Sequence, residues 1–76
     1  MTLDELKPGQ MGMIREIRAG GPIRRRLLEL GITPGSSITL QRRAPLGDPL
    51  IVCLRDCTLA VRKSDASRVL LRDTRL

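Results

Sequence analysis

The sequence predicts a single, mainly β domain over residues 1–76: a small five-stranded barrel with one short inserted α-helix. Five short runs alternate apolar and polar residues, as half-buried strands do, and only one segment has helical spacing. A chain of 76 residues is too short for two ordinary domains. Hydrophobic residues make up 41% without a single aromatic, so the core must be aliphatic. A barrel suits strands this short because it removes exposed sheet edges.

The first elements are a short turn and a strand. A capping-box pattern at Thr2 and Glu5 predicts one helical turn at the N-terminus. Residues 10–18 form the first expected strand, but its two isoleucines lie three apart. This spacing breaks the alternation and predicts a β-bulge near Arg15-Glu16.

The one predicted α-helix spans residues 22–30. It has proline at its first position and glycine directly after its end, which are the places where these residues favour helix boundaries. Ile23, Leu27 and Leu30 recur at i, i+4 and i+7, so they are expected to face the core.

The second half of the chain contains four further strands. Two of them form a hairpin around a turn at Arg55-Asp56-Cys57, and a turn at Ser64-Asp65-Ala66 leads into the last strand. That strand is expected to pair with the first. The residues predicted to face inward in these strands are Ile38, Leu40, Leu50, Val52, Leu54, Leu59, Val61, Val69 and Leu71.

The composition argues for anionic partners and against catalysis. The chain has 14 Lys+Arg against 8 Asp+Glu, a formal charge of +6, and 12 of the 14 cations are arginine. Histidine, the commonest general base, is absent, and the serines lie in no nucleophile motif. No phosphate-binding loop is present either. We therefore predict a protein that is not an enzyme and that needs no cofactor.

Cys53 and Cys57 are the only residues that suggest a metal. As thiolates they could bind a soft ion such as zinc, but two ligands do not complete a site and there is no histidine to add. We predict no metal site in the monomer. A site shared by two copies of the chain remains a weaker alternative.

Three separately spaced motifs carry a resemblance to a known family. They are Arg26-Leu27-Leu28-Glu29-Leu30-Gly31-Ile32-Thr33-Pro34-Gly35, Ala44-Pro45-Leu46-Gly47-Asp48-Pro49 and Leu59-Ala60-Val61-Arg62. In this order they resemble the FeoA family, the ferrous iron transport A proteins. The resemblance implies an SH3-like barrel and a non-enzymatic accessory role in bacterial ferrous iron uptake.

The same resemblance implies a partner and a location. The partner would be the cytoplasmic part of FeoB, the membrane iron transporter with a GTP-binding domain, whose activity the chain would modulate. We accordingly expect a cytoplasmic protein that lies at the periphery of the inner membrane through its partner. The sequence contains no apolar run long enough to cross a bilayer.

The candidate partner-binding residues lie in a proline-bracketed loop and on the helix. The loop could be a stiff recognition element or an ordinary turn, and its apolar tip favours recognition because a turn does not need one. Arg26 could meet a partner, or its head group could pair within the fold. Leu28 falls outside the predicted core stripe. The set is Arg26, Leu28, Pro45, Leu46, Gly47, Asp48 and Pro49.

Two other functions stay open. The charge and a similarity to the SH3-like domain of iron-dependent repressors favour a module that contacts nucleic-acid phosphates, although the chain lacks aromatic residues for base stacking. Alternatively, the chain associates with itself. In the predicted alternation Met11, Met13, Ile51 and Cys53 face outward, and such residues could meet in a dimer.

Overall fold

The computed structural model describes residues 1–76 and contains five strands and two short helices. In chain order the elements are a 3-10 turn at Leu3–Glu5, β1 at Met11–Ile17, α1 at Gly21–Glu29, β2 at Ser37–Arg43, β3 at Leu50–Leu54, β4 at Cys57–Val61, α2 at Lys63–Ala66 and β5 at Val69–Arg75. The predicted mainly β architecture with its inserted helix is confirmed.

All five strands belong to one antiparallel sheet with the order β4-β3-β2-β1-β5. The expected pairing of the last strand with the first is confirmed, since Ile17 lies opposite Val69 and Met11 opposite Arg75. The two edge strands do not hydrogen-bond to each other, so the predicted closure of the barrel is wrong. Instead, α1 lies beside the free edge of β4, where Leu27 and Leu30 line a groove with Ala60.

The sheet curls around an aliphatic core on its inner face. The core is one cluster of buried residues with no aromatic member: Leu3, Leu6, Ile14, Ile17, Leu27, Ile32, Ile38, Leu40, Leu50, Val52, Leu54, Val61, Ala66, Val69 and Leu71. Of the residues predicted to face inward in the last four strands, only Leu59 is partly exposed. It lies on β4, the sheet edge, where fewer neighbours cover it.

β-Bulges shape the long strands. The register of β1 against β5 shifts between Ile14 and Glu16, which confirms the predicted bulge. A second shift lies opposite Gly12, where Asp73 adopts a positive φ of 53°. A Cβ on Gly12 would stand 3.0 Å from the side chain of Thr74 and 3.2 Å from that of Leu71, so even a methyl group would be crowded here.

Helix α1 ends in a Schellman motif that the sequence only partly indicates. The N–H of Gly31 donates to the carbonyl of Leu28 at 2.9 Å, and that of Ile32 to the carbonyl of Leu27 at 3.0 Å. Gly31 has φ +90°, as predicted. The motif turns the chain away from the helix axis, so Ile32 becomes fully buried. Leu30, predicted to face the core, is instead 39% exposed.

The N-terminal turn forms through the predicted capping box. The N–H of Thr2 donates to the Glu5 carboxylate at 2.7 Å, and the Thr2 hydroxyl donates to the same oxygen at 3.0 Å. These bonds favour the carboxylate, so they hold the pKa of Glu5 below its ordinary value of 4.5. Arg43 of β2 donates to the carbonyls of Asp4 and Leu6, which fixes the turn against the sheet.

Two turns differ from the expected ones. The hairpin turn consists of Arg55 and Asp56 alone, both with positive φ, and Cys57 is already the first residue of β4. The expected turn at residues 64–66 is part of the one-turn helix α2, with Arg62 in the extended conformation just before it. Neither α1 nor α2 is long or apolar enough to cross a bilayer.

Candidate protein-interaction site

The proline-bracketed loop connects β2 to β3 and is fixed by its own backbone. The N–H of Ala44 donates to the carbonyl of Pro49 at 3.0 Å, and the N–H of Gly47 donates to the carbonyl of Ala44 at 2.7 Å. Gly47 has φ +86°, a conformation that favours glycine, and the Asp48-Pro49 bond is cis. Pro45 is exposed and Pro49 half-buried. The two hydrogen bonds leave the backbone of the loop little conformational freedom.

Leu46 is the most exposed large apolar residue of the chain. Its relative exposure is 96%, so it contributes nothing to the core. The backbone bonds described above close the turn without help from this side chain. An apolar side chain on a fixed backbone is suited to a partner's pocket, because binding then costs little conformational entropy.

Asp48 is used by the fold in a way the sequence does not reveal. Its Oδ1 accepts a hydrogen bond of 3.0 Å from the backbone N–H of Lys63, the first residue of α2. This bond spans 15 positions of sequence and so reaches beyond the loop itself. The carboxylate ties the loop to a helix N-terminus, where an anion is stabilised by the free N–H groups and the helix dipole.

Arg26 pairs with a buried carboxylate. Its Nη2 lies 2.7 Å from Oδ2 of Asp65, whose residue exposure is 7%, whereas half of the Arg26 side chain remains in solvent. The head group therefore pairs within the fold, which is the structural role that the sequence offered as one alternative. Residues 64–66 have the sequence pattern of a turn, so Asp65 was not expected to belong to the site. The missed signal was an acidic residue in the first turn of a short helix.

Helix α2 thus links the two parts of the candidate site. The N–H of Lys63 in α2 donates to Asp48 of the loop, and Asp65 of α2 accepts a hydrogen bond from Arg26 of α1. No hydrogen bond or ion pair joins the loop directly to α1. The structure therefore does not bring Leu46 and Leu28 into one pocket. The loop and α1 are separate contact points, and α2 holds both of them.

Leu28 is half-buried rather than free. It packs partly against the core and also lines an open groove of about 470 Å³ along α1 with Gly21, Arg24, Arg25 and Glu29. Arg24 donates to the carbonyl of Ile17 at 3.1 Å, which holds the start of α1 against the end of β1. Arg25 is exposed and makes no ion pair. The groove is therefore apolar at its floor and basic at its rim.

The two cysteines lie on opposite faces of the sheet. Cys53 is paired with Thr58, while Cys57 is paired with Leu54, which faces the core. Directly paired residues share a face and successive residues alternate, so the thiols of Cys53 and Cys57 point apart. Within one copy of the chain they do not converge on a single ion, and no three His, Cys, Asp or Glu side chains cluster elsewhere.

Comparison with known proteins identifies the family. The FeoA domain family matches residues 1–73. The curated Fe(2+) transport protein A/Fe(2+) transporter FeoB fusion protein of Porphyromonas gingivalis is 35% identical over 69 residues, which cover 91% of this chain. The chain spans only 8% of the length of that fusion protein.

Solved structures agree with this fold. The solution structure of FeoA from Chlorobium tepidum is 35% identical with a TM-score of 0.87, covering 95% of this chain and 69% of that one. The FeoA of Stenotrophomonas maltophilia, crystallised with zinc and described as an SH3 domain protein, is 31% identical with a TM-score of 0.86, covering 99% and 95%. The expected SH3-like fold is confirmed. A manganese-dependent transcriptional repressor shares the fold alone, at 18% identity and a TM-score of 0.83 over 93% of this chain and 40% of that one.

Proposed function

The chain belongs to the FeoA family of ferrous iron transport, and from this premise we propose that it is a non-enzymatic module that docks on the cytoplasmic part of the FeoB transporter. The observation that carries the proposal is the fusion protein of Porphyromonas gingivalis, in which a related domain and a FeoB transporter share one chain. Joining two proteins raises their effective concentration toward each other, which benefits partners that bind weakly as separate chains.

The loop at residues 45–49 and the exposed side of α1 are the proposed docking surface. Leu46 is the anchor, because its apolar side chain is almost fully exposed on a fixed turn. Leu28 supplies a second, half-buried apolar contact, and Arg24 and Arg25 form a basic rim. Arg26 and Asp48 contribute by holding α1 and the loop on α2. Pro45, Gly47 and Pro49 shape the turn that presents Leu46.

Docking is proposed to act on the transporter's own GTPase and transport cycle. Such an effect follows if the chain binds one conformation of the transporter more tightly than another. A docked module then shifts the population of that conformation by its difference in affinity.

A pull-down with two forms of the transporter tests this function. The purified chain is immobilised and offered the soluble GTP-binding domain and, separately, full-length FeoB in detergent. Retention of full-length FeoB is expected, and retention of the soluble domain would assign the contact to it. Failure to retain either form contradicts the proposal.

Salt and duplex DNA separate docking from the nucleic-acid alternative. Docking through Leu46 and Leu28 should persist as salt is added, because apolar contacts are not screened. Binding through several phosphates weakens steeply with salt. If the chain binds duplex DNA with steep salt dependence and does not retain FeoB, the nucleic-acid function replaces the proposed one.

A further inference from the structure

The outer face of the sheet carries four apolar side chains and three arginines. In the register of the strands, Arg75, Met11, Thr39 and Cys53 form one row, Arg72, Met13 and Ser37 a second, and Arg42, Ile51 and Ala60 a third. Paired residues share a face of a sheet, so these three rows lie together on the side opposite the core. We call this surface the outer face.

Nothing in the fold covers the outer face. None of its residues is buried: Met11, Met13, Ile51 and Cys53 are half-buried, and the three arginines are exposed. The apolar side chains form two pairs, one on β1 and one on β3, with Ser37 and Thr39 of β2 between them. Two such pairs on one small face exceed the single apolar residues of an ordinary solvated surface. The face is therefore an unoccupied contact surface of mixed apolar and basic character.

The charge of this face is positive and largely uncompensated. Arg42 and Arg75 make no ion pair. Arg42 lies on the central strand β2, and Arg75 lies on the edge strand β5 beside Met11. Arg72 pairs with the exposed Asp73 at 2.9 Å. The other carboxylate on this side of the sheet, Glu16, lies at the end of β1 between Arg15 and Arg18, 3.9 and 3.8 Å away. A partner that covers this face thus meets Arg42 and Arg75 without a competing carboxylate.

We propose that the outer face binds the surface of an anionic lipid bilayer. Apolar side chains flanked by arginines fit the boundary between acyl chains and phosphate headgroups, where the cations meet phosphate and the apolar groups enter the boundary layer. Nucleic acid also offers phosphates, but single strands and RNA loops are held largely by aromatic stacking, and this chain has no aromatic residue.

The position of the outer face is compatible with docking on a membrane transporter. The row of Arg42 and Ile51 lies at the end of β2 and the start of β3, directly beside the loop that carries Leu46. A domain held by that loop would keep the outer face free for the adjacent bilayer. The proposal concerns lipid alone and does not require the proposed docking function. Vesicles without transporter test lipid binding, and transporter in detergent tests docking.

Vesicle co-sedimentation of the purified full chain tests the proposal. Binding is expected to vesicles of equal parts phosphatidylcholine and phosphatidylglycerol, and not to phosphatidylcholine alone. Arg42→Gln with Arg75→Gln should weaken partitioning about 25-fold, since each cation near an anionic surface contributes roughly a factor of five. Met13→Gln with Ile51→Gln, which leaves the charge unchanged, should also weaken it severalfold.

A matched variant controls for net charge. Arg25→Gln removes one charge from an exposed position on α1, away from the sheet's outer face; it should weaken binding by less than about twofold, against about fivefold for Arg42→Gln alone. NMR spectra establish that each variant is folded. If the Arg42/Arg75 variant unfolds, Arg42→Gln alone replaces it, with an expected loss of about fivefold.

Three results would overturn the proposal. The first is that the chain does not co-sediment with the anionic vesicles. The second is that Arg25→Gln and Arg42→Gln lose affinity equally, which reduces binding to overall charge. The third is that duplex DNA is bound more tightly than the vesicles and depends on Arg42 and Arg75 in the same way, which would make the face a nucleic-acid contact.

Discussion

The carboxylate of Asp65 and the guanidinium of Arg26 meet at 2.7 Å and join the two helices across 39 positions of sequence. Asp65 is buried, whereas half of the Arg26 side chain is in solvent. A buried carboxylate requires a donor, and a charged donor makes the stronger hydrogen bond. This contact ties α2 to α1. Because α2 also holds the loop through Asp48, the contact helps to position both parts of the candidate site.

A double-mutant cycle should detect the Arg26–Asp65 contact. Alanine at both positions is expected to show a coupling of about 1 kcal/mol in chemical denaturation, because one partner is buried and the other half exposed. The Arg72–Asp73 pair is the control, since more than half of each side chain is exposed, and its coupling should be near zero. A coupling near zero for the Arg26–Asp65 pair as well would mean that this contact adds no stability.

The two leucines of α1 should respond differently to truncation. Leu27 is 1% exposed at the centre of the core, so Leu27→Ala should lower the free energy of unfolding by about 2–5 kcal/mol. Leu30 is 39% exposed, and Leu30→Ala should cost less than about 1 kcal/mol. Thermal or urea unfolding measures both. A larger loss at Leu30 than at Leu27 would mean that the helix presents another face to the core.

Gly12 should not tolerate even a methyl group. Gly12→Ala places a Cβ 3.0 Å from Thr74 and 3.2 Å from Leu71, which should lower the free energy of unfolding by about 1–3 kcal/mol. Gly20→Ala is the matched control, because nothing lies within 4 Å of its Cβ position and its φ is −115°. Comparable stabilities of the two variants would disprove the close approach of β1 and β5.

Glu5 should titrate below 4.5 in the folded protein, because Thr2 donates two hydrogen bonds to its carboxylate. A pKa that is lower in the folded than in the unfolded chain favours the folded state at pH above 4.5, and this contribution is lost as the pH falls through the folded pKa. NMR titration of the Glu5 carboxyl carbon measures this pKa. Thr2→Val removes only the hydroxyl and should raise the pKa part of the way, whereas Thr58→Val, on β4, should not change it.

Leu46→Asp should abolish FeoB docking without unfolding the domain. A charge on this exposed side chain should change stability by less than about 0.5 kcal/mol, but buried in an interface without a partner it is costly. Leu76→Asp is the matched control at another exposed leucine, 85% accessible, and should bind normally. Pull-down of full-length FeoB in detergent measures both. Normal docking by Leu46→Asp would remove the loop tip from the interface.

The helix side of the interface is tested by Leu28→Asp and by charge reversal at Arg24 and Arg25. Leu28→Asp should also abolish docking, but Leu28 packs partly against the core, so its NMR spectrum must first show an intact fold. Reversing the rim charges should mainly alter the association rate and the salt dependence. Because this change also removes the bond from Arg24 to Ile17, the NMR spectrum of this variant must likewise show an intact fold. If charge reversal abolishes docking while both leucine variants bind, the interface is electrostatic and not apolar.

The sequence predicts the strands well because each has a buried face with a period of two. It predicts Gly31 and the first bulge because glycine and a broken alternation are local signals. Leu30 could not be placed correctly, since the Schellman motif redirects the chain after Glu29. The bonds of Asp48 and Asp65 join residues distant in sequence, and no local pattern records them. Most of the candidate site therefore depends on contacts that only the folded chain forms.

The pairing of β1 with β5 brings together strands from the two ends of the chain, with Met11 opposite Arg75 and Leu71 donating to the carbonyl of Met1. During synthesis β1 leaves the ribosome before β5, its partner strand, has been translated. The growing chain therefore carries an unpaired strand edge until β5 emerges, and such edges promote aggregation. Pairing across this sequence distance also slows folding, so the rate at which this domain matures is set by its last strand.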